Sequence, residues 1–210
     1  TAPSVSYQVK LGNGKLETIS NPSKLPDPAH IDQVLEPWVK TEILVPNDYV
    51  GAVMQLCQDK RGVHKDMQYL GQDRVMIVHE LPLSNIVTDF YDRLKTVTSG
   101  YASFSYEFID YKPETLVKVD ILIAGDKVDA FSLILHKTEA VSVGSKICKK
   151  LKTLIPRAQF EIALQAAIGA KIISRETIPA MRKDVTAKLY GGDRTRKDKL
   201  RKKQAKGKKR

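Results

Sequence analysis

Apolar and polar residues alternate in VSYQVKL (residues 5–11), which puts Val5, Tyr7, Val9 and Leu11 on one face of a predicted strand. Gly12-Asn13-Gly14 turns the chain, and LETIS (16–20) returns as a second strand. A lone hairpin buries too little to hold itself together. The three prolines of NPSKLPDP (21–28) mark a linker, and a first boundary is placed near Glu36.

From Pro37 the punctuation becomes regular. WVKTEILV (38–45) is a predicted strand, and Asn47 or Asp48 is positioned to cap the helix after it. Val50, Val53, Met54, Leu56 and Cys57 form an apolar stripe at helical spacing, closed by Gly62. HKDMQYL and RVMIVHEL are two strands around Gly71-Gln72-Asp73. Ser84 is the predicted cap of a second helix, with Ile86, Val87, Phe90, Leu94 and Val97 apolar and Gly100 at its end. YASFSYEFIDY (101–111) alternates as a long strand. The order β-α-β-β-α-β predicts a ferredoxin-like domain over residues 37–115, with two helices on one face of a four-stranded antiparallel sheet.

A second small α/β domain is predicted over 116–192, so the fold class is α+β. LVKVDILIAG and KVDAFSLILHK are two strands across Gly125-Asp126. SKICKKLKTLI has Ile147, Leu151 and Leu154 on one helical face and stops at Pro156. Phe160, Ile162, Leu164, Ala166 and Ile168 recur at period two, and Gly169 turns the chain into KIISRETI. Pro179 is placed as the first residue of a short helix, PAMRKDVTAKL. Residues 193–210 form a basic tail.

Charge changes the picture. From Lys171 onward there are 16 Lys or Arg against 4 Asp or Glu, whereas the preceding residues carry 19 against 20. A near-neutral body with a cationic end fits a polyanionic partner. The candidate phosphate-binding residues are Lys171, Arg175, Arg182, Lys183 and Lys188, then Arg194, Arg196, Lys197, Lys199, Arg201, Lys202, Lys203, Lys206, Lys208, Lys209 and Arg210. Asp193 is a plausible cap for a helix from Arg194 to about Ala205, but only Leu200 and Ala205 are apolar there. One Asp198–Lys202 pair, worth about 0.2–0.5 kcal/mol, opposes many like-charge contacts, so an isolated helix is expected to be marginal until phosphates relieve the repulsion. The tail has no aromatic side chain for stacking on bases, which favours backbone contact with structured RNA. An interfacial membrane helix needs a broad apolar face, which this segment lacks.

The remaining chemistry is sparse. Cys57 and Cys148 sit far apart among apolar neighbours and read as buried free thiols. The four histidines are scattered singly, so no metal site is expected. No stretch is apolar enough to span a membrane, and TAPSVSYQV does not read as a signal peptide. A ferredoxin-like acyl-phosphate hydrolase would need an anion loop with Arg and Asn, and VPNDYVG (45–51) offers Asn47 without the Arg. A protein-interaction domain whose basic tail serves localisation or solubility is the alternative reading.

Three runs carry a family resemblance: DFYDRLKTVTSGYASFSYEFIDY (89–111), LIPRAQFEIALQAAIGAKIISRETI (154–178), and RKDVTAKLYGGD (182–193) with the KQ-x-x-GKKR end (203–210). They resemble the C-terminal part of the LepA family of ribosome-associated translational GTPases, also called elongation factor 4. TAPSVSYQV (1–9) resembles the end of that family's preceding domain. The resemblance implies that the ferredoxin-like domain is similar to domain V of elongation factor G, and that the segment after it is the family's own C-terminal domain. It implies contact with large-subunit rRNA near the factor-binding site and with the acceptor arm of tRNA, in back-translocation, rescue of stalled ribosomes or ribosome assembly. By that analogy the loop at Ser99, Gly100 and Tyr101 would face rRNA. The chain shows no G-x-x-x-x-G-K-[ST] phosphate loop. It therefore reads as about the last third of such a protein, not itself an enzyme and without a cofactor, with GTP and magnesium held by a domain outside it. A monomer in the bacterial cytoplasm or an organellar matrix is expected, with membrane association of the whole protein left open.

Overall fold

The computed structural model describes residues 3–186 and 194–208. The chain divides into two compact units, residues 1–115 and 116–210.

The first unit is organised by one long strand. β1 (Tyr7–Leu11) and β2 (Leu16–Ile19) form the predicted hairpin. β3 (Ile31–Pro46) is 16 residues long and serves two partners along one edge. It pairs with β1 up to Leu35 and with β5 (Arg74–Pro82) from Trp38 onward, while its other edge pairs with β6 (Ser103–Pro113). β4 (Val63–Leu70) closes the sheet against β5. The strand thus runs straight through residue 36, where the prolines upstream suggest a break. Pro37 is tolerated because it sits where pairing passes from β1 to β5, so that edge makes no demand on its missing N–H. The hairpin gains its core by joining this sheet, with Tyr7 and Val9 buried.

α1 (Val50–Asp59) and a composite helix lie against the sheet. The composite helix is α2 (Leu83–Asn85), a π turn (Ile86–Phe90) and α3 (Tyr91–Val97). The antiparallel order β6-β3-β5-β4 is the fourth-first-third-second arrangement of a ferredoxin-like unit. Ile43 and Val45 of β3, Val75 and Ile77 of β5, Val53 of α1 and Phe90 meet in one core. Burial pushes the Cys57 thiol up to about 12, so it is an inert core residue.

The predicted helix caps do other work. Asn47 opens a 3-10 turn (Asn47–Tyr49) and its N–H bonds the Asp73 carbonyl at 3.0 Å, tying two loops together. Ser84 lies one residue inside α2, past the cap position, and its hydroxyl donates a charge-assisted hydrogen bond to the Glu36 carboxylate. The left-handed residue that follows the end of α1 is Arg61, at φ 61°, and not Gly62. Gly62 is required for space, since a Cβ there would lie 2.7 Å from the Cys57 carbonyl oxygen and 2.8 Å from Leu81 Cδ2.

His79 on β5 is 2% exposed, and its Nδ1 has no hydrogen-bond partner among the described residues. Its ring lies 5.0 Å from that of His64 on β4. Burial, reinforced by His64, lowers its pKa from 6.5 to about 4. Because the folded value lies below the unfolded one, His79 supports folding fully above about pH 6.5. That support, about 3 kcal/mol at most, is lost as pH falls toward 4. Urea unfolding followed by the fluorescence of Trp38, the single tryptophan, should show this loss between pH 6.5 and 4.5. His79→Phe should flatten it.

The second unit is a sheet of order β11-β10-β7-β8, with β9 also paired to β7. Its strands are β7 (Leu116–Ile123), β8 (Asp126–Lys127), β9 (Leu133–His136), β10 (Ile162–Ile168) and β11 (Lys171–Ile178). KVDAFSLILHK is split by a 3-10 turn (Asp129–Phe131). The turn lets Phe131 reach the core and Ser132 Oγ donate to Asp120 Oδ1 at 2.8 Å. α4 (Lys137–Leu154) is longer than predicted, because Ala140, Gly144 and Cys148 extend the buried stripe one turn at a time. α5 (Arg194–Gly207) is the last element. The helix expected after Pro179 is absent from the described part of that segment. Ala180 is buried and the Met181 N–H bonds the Ala158 carbonyl at 2.8 Å, which holds the chain open. Residues 187–189 of that segment lie outside the described residues.

α4 lies close to its sheet at Gly144. A Cβ there would stand 3.0 Å from Ala166 Cβ and 3.4 Å from Ile173 Cδ1. Gly144→Val should therefore lift the helix and cost about 1–3 kcal/mol by overpacking. Hydrogen exchange of the α4 amides should quicken accordingly, and unchanged protection would show that the close approach carries no strain.

Candidate nucleic-acid interface

The tail is held as a helix by one face and one end. Lys197, Leu200, Gln204, Ala205 and Lys208 are half-buried at helical spacing, and the other described residues of α5 are exposed. Gln204 Nε2 donates to the Lys183 carbonyl at 2.9 Å. The Glu161 N–H bonds the Lys208 carbonyl at 2.8 Å. Lys208 Nζ reaches Gln159 Oε1 at 3.3 Å and also the Met181 carbonyl. These bonds fasten the C-terminal end of α5 to the connector before β10 and to the segment after β11. The sequence offered only two apolar positions, Leu200 and Ala205, so the anchoring by backbone carbonyls and a lysine could not be read from hydropathy.

With that face turned inward, Arg194, Arg196, Lys199, Arg201, Lys202, Lys203 and Lys206 are exposed along the helix. Arg182 and Lys183 are exposed in the segment α5 is bonded to. Arg175 lies midway along β11 and Lys171 at its far end, about 20 Å from Ile178. Lys188, Lys209, Arg210 and the cap residue Asp193 lie outside the described residues.

One cationic surface escaped the tail-centred reading. The outward side of α4 carries Lys146, Lys149 and Lys150, and Arg157 follows in the connector, all exposed. Their i, i+3, i+4 spacing in SKICKKLK was the available signal. The fourth lysine of that run, Lys152, is tied to Glu176 at 2.7 Å and holds that carboxyl below its usual range.

In the first unit, Ser99 (φ 52°) and Gly100 (φ 82°) turn the chain out of α3. The Gly100 N–H bonds the Lys95 carbonyl at 2.8 Å. Phe104 packs inward, 5.3 Å from Phe90. Tyr101 is 68% exposed and stacks on Tyr49 at 6.2 Å. Among the described residues, no group of three or more His, Cys, Asp or Glu is placed to hold a metal ion. No described helix is long and apolar enough to cross a membrane.

The family model for the C-terminus of the GTP-binding protein LepA matches residues 123–210, and that for the C-terminus of elongation factor G matches residues 33–122. Over all 210 residues the chain is 60% identical to an elongation factor 4 of Halalkalibacterium halodurans. The chain belongs to the LepA, or elongation factor 4, family. It is also 59% identical to the elongation factor 4 of Shouchella clausii and 57% identical to that of Mycoplasma mobile, again along its whole length. It spans only about a third of these relatives, 34–35% of their length. A solved structure from Thermus thermophilus aligns with 40% of this chain and 12% of its own, at 29% identity and a TM-score of 0.37, too little overlap to bear on the fold. The residues are those of a translation-factor region: a ferredoxin-like unit of the elongation factor G type followed by the LepA-type unit that carries α5.

Proposed function

We propose that this LepA-type region docks its factor on the ribosome by gripping the sugar–phosphate backbone of structured RNA, with α5 as the principal contact. The observation that carries this reading is the seating of α5: its half-buried face is fastened to the unit, so its cations are presented outward on an ordered support. Anchoring lowers the ordering cost that a free basic tail would meet on binding. The RNA partners proposed are large-subunit rRNA near the factor-binding site and the acceptor arm of tRNA, with the loop at Ser99, Gly100 and Tyr101 as a second rRNA-facing element. The whole protein is proposed to be a GTPase, its GTP and magnesium bound outside these residues, acting in back-translocation, rescue of stalled ribosomes or ribosome assembly.

A chemical footprint of the chain on ribosomes, with and without bound tRNA, tests the reading. Protection of large-subunit rRNA, extended to the acceptor arm when tRNA is present, is expected. Absence of any RNA protection would leave the interaction-domain alternative, with α5 only a solubilising or localising segment.

A further inference from the structure

The outward face of α4 is chemically one-sided. Ala140, Gly144, Cys148 and Leu151 turn toward the sheet. At 100° per residue the opposite side presents Glu139 in the first turn, half-buried, and then Ser142, Lys146, Lys149, Lys150 and Thr153, all exposed. Among the described residues Lys146, Lys149 and Lys150 make no ion pair within 4 Å, whereas Lys152 on the flank is paired with Glu176, a carboxylate whose pKa the charge of Lys149 also helps to lower. Past that first-turn carboxylate, cations interleaved with hydroxyls make a donor set that nucleic-acid phosphates accept from.

The position of this face is informative as well. Leu151 and Ile155 pack with Ile162 and Ile178, so the C-terminal end of α4 lies at the end of the sheet where β10 begins and β11 finishes. α5 is fastened at that same end, through Glu161 and Gln159 in the connector and Met181 after β11. Arg157 is exposed in that connector, between the end of α4 and the anchor of α5. Two cationic helices therefore meet at one corner of the unit.

We infer that Lys146, Lys149 and Lys150 of α4, joined by Arg157, form a second phosphate-binding strip that engages the same folded RNA as α5. This rests on the RNA-docking reading above. Two basic helices contact backbone at two places, which constrains the orientation of a helical RNA more than a single helix does. No aromatic side chain stands among these residues, so the strip recognises the duplex by charge and shape and not by stacked bases.

The test is fluorescence anisotropy of labelled bacterial tRNA with the full chain, titrated from about 50 to 300 mM KCl, a range over which phosphate contacts dominate the salt response. Lys146→Gln/Lys149→Gln/Lys150→Gln is expected to bind on the order of tenfold more weakly and to flatten the slope of log K against log salt by about 2–3. Glutamine keeps helix propensity, and circular dichroism verifies the fold. A control of equal charge change, Lys10→Gln/Lys15→Gln/Lys24→Gln in the first unit, should leave the slope nearly as it was. If the α4 variant matches wild type while neutralising α5 weakens binding, the strip is refuted and the docking reading stands. If the control flattens the slope as much as the α4 variant, the strip contributes only net charge and the inference falls. If wild type shows no salt-sensitive binding, both fail together.

Discussion

Arg61→Ala is expected to destabilise the first unit by about 3–5 kcal/mol, a large part of the stability a domain of this size possesses. Glu36 is 1% exposed, and both of its carboxylate oxygens accept from one guanidinium nitrogen of Arg61, at 2.9 and 3.1 Å. Ser84 donates a further bond to it. The cluster joins β3, the turn after α1 and the junction of β5 with α2. Burial raises the pKa of Glu36 despite Arg61, so charging this carboxylate is already costly in the folded state. Without the guanidinium only the Ser84 hydroxyl is left to offset that cost. The deficit should therefore be greatest near neutral pH and shrink as the solution is acidified and Glu36 takes up a proton. Urea unfolding followed by Trp38, which is 5% exposed, reads the effect directly. Arg61→Gly separates the pair from the backbone. It also loses the guanidinium but removes the strain of a positive φ, so it should be less damaging than alanine by about 1 kcal/mol. Equal losses would mean that backbone strain at Arg61 is negligible.

Neutralising the exposed face of α5 should have the largest effect on binding. Lys199→Gln/Lys202→Gln/Lys203→Gln/Lys206→Gln leaves Leu200, Gln204, Ala205 and Lys208 in place, so the helix keeps the contacts that seat it. Four lost phosphate contacts should flatten the salt slope by about 3–4 and weaken tRNA binding on the order of a hundredfold near 0.1 M salt. Filter binding measures both. A matched variant of the anchor, Gln204→Ala, keeps every charge and loosens the seat. It should weaken binding moderately with the slope unchanged, the pattern of a positioning residue. Retained affinity in the fourfold variant would remove α5 from the mechanism.

Much of the fold was legible because hydrophobic period and turn residues agree along the chain. The β-α-β-β-α-β order followed from Pro46, Gly71 and Gly100 and from stripes such as Val53, Leu56 and Cys57, and the ferredoxin-like sheet answers to it. What was hidden depended on tertiary partners. Ser84 reads as a cap until the buried Glu36 is known to need a donor. Glu36 reads as a domain boundary until β3 is seen to run through it, changing partners on one edge. Pro179 reads as a helix start, yet the Ala158 carbonyl holds the chain extended beside it. At the candidate interface the charge of the tail was plain in the sequence, and its anchoring was not. Lys208 reads as one more cation, whereas both its carbonyl and its ammonium group bond to the body of the unit.

The most direct measurement is the slope of log K against log salt for the unaltered chain on folded tRNA. Seven outward cations on α5 predict a slope steeper than about −4 even if only part of them meet phosphates, with affinity falling by orders of magnitude from low to moderate salt. A slope near zero, or binding that rises with salt, would contradict recognition through the phosphate backbone.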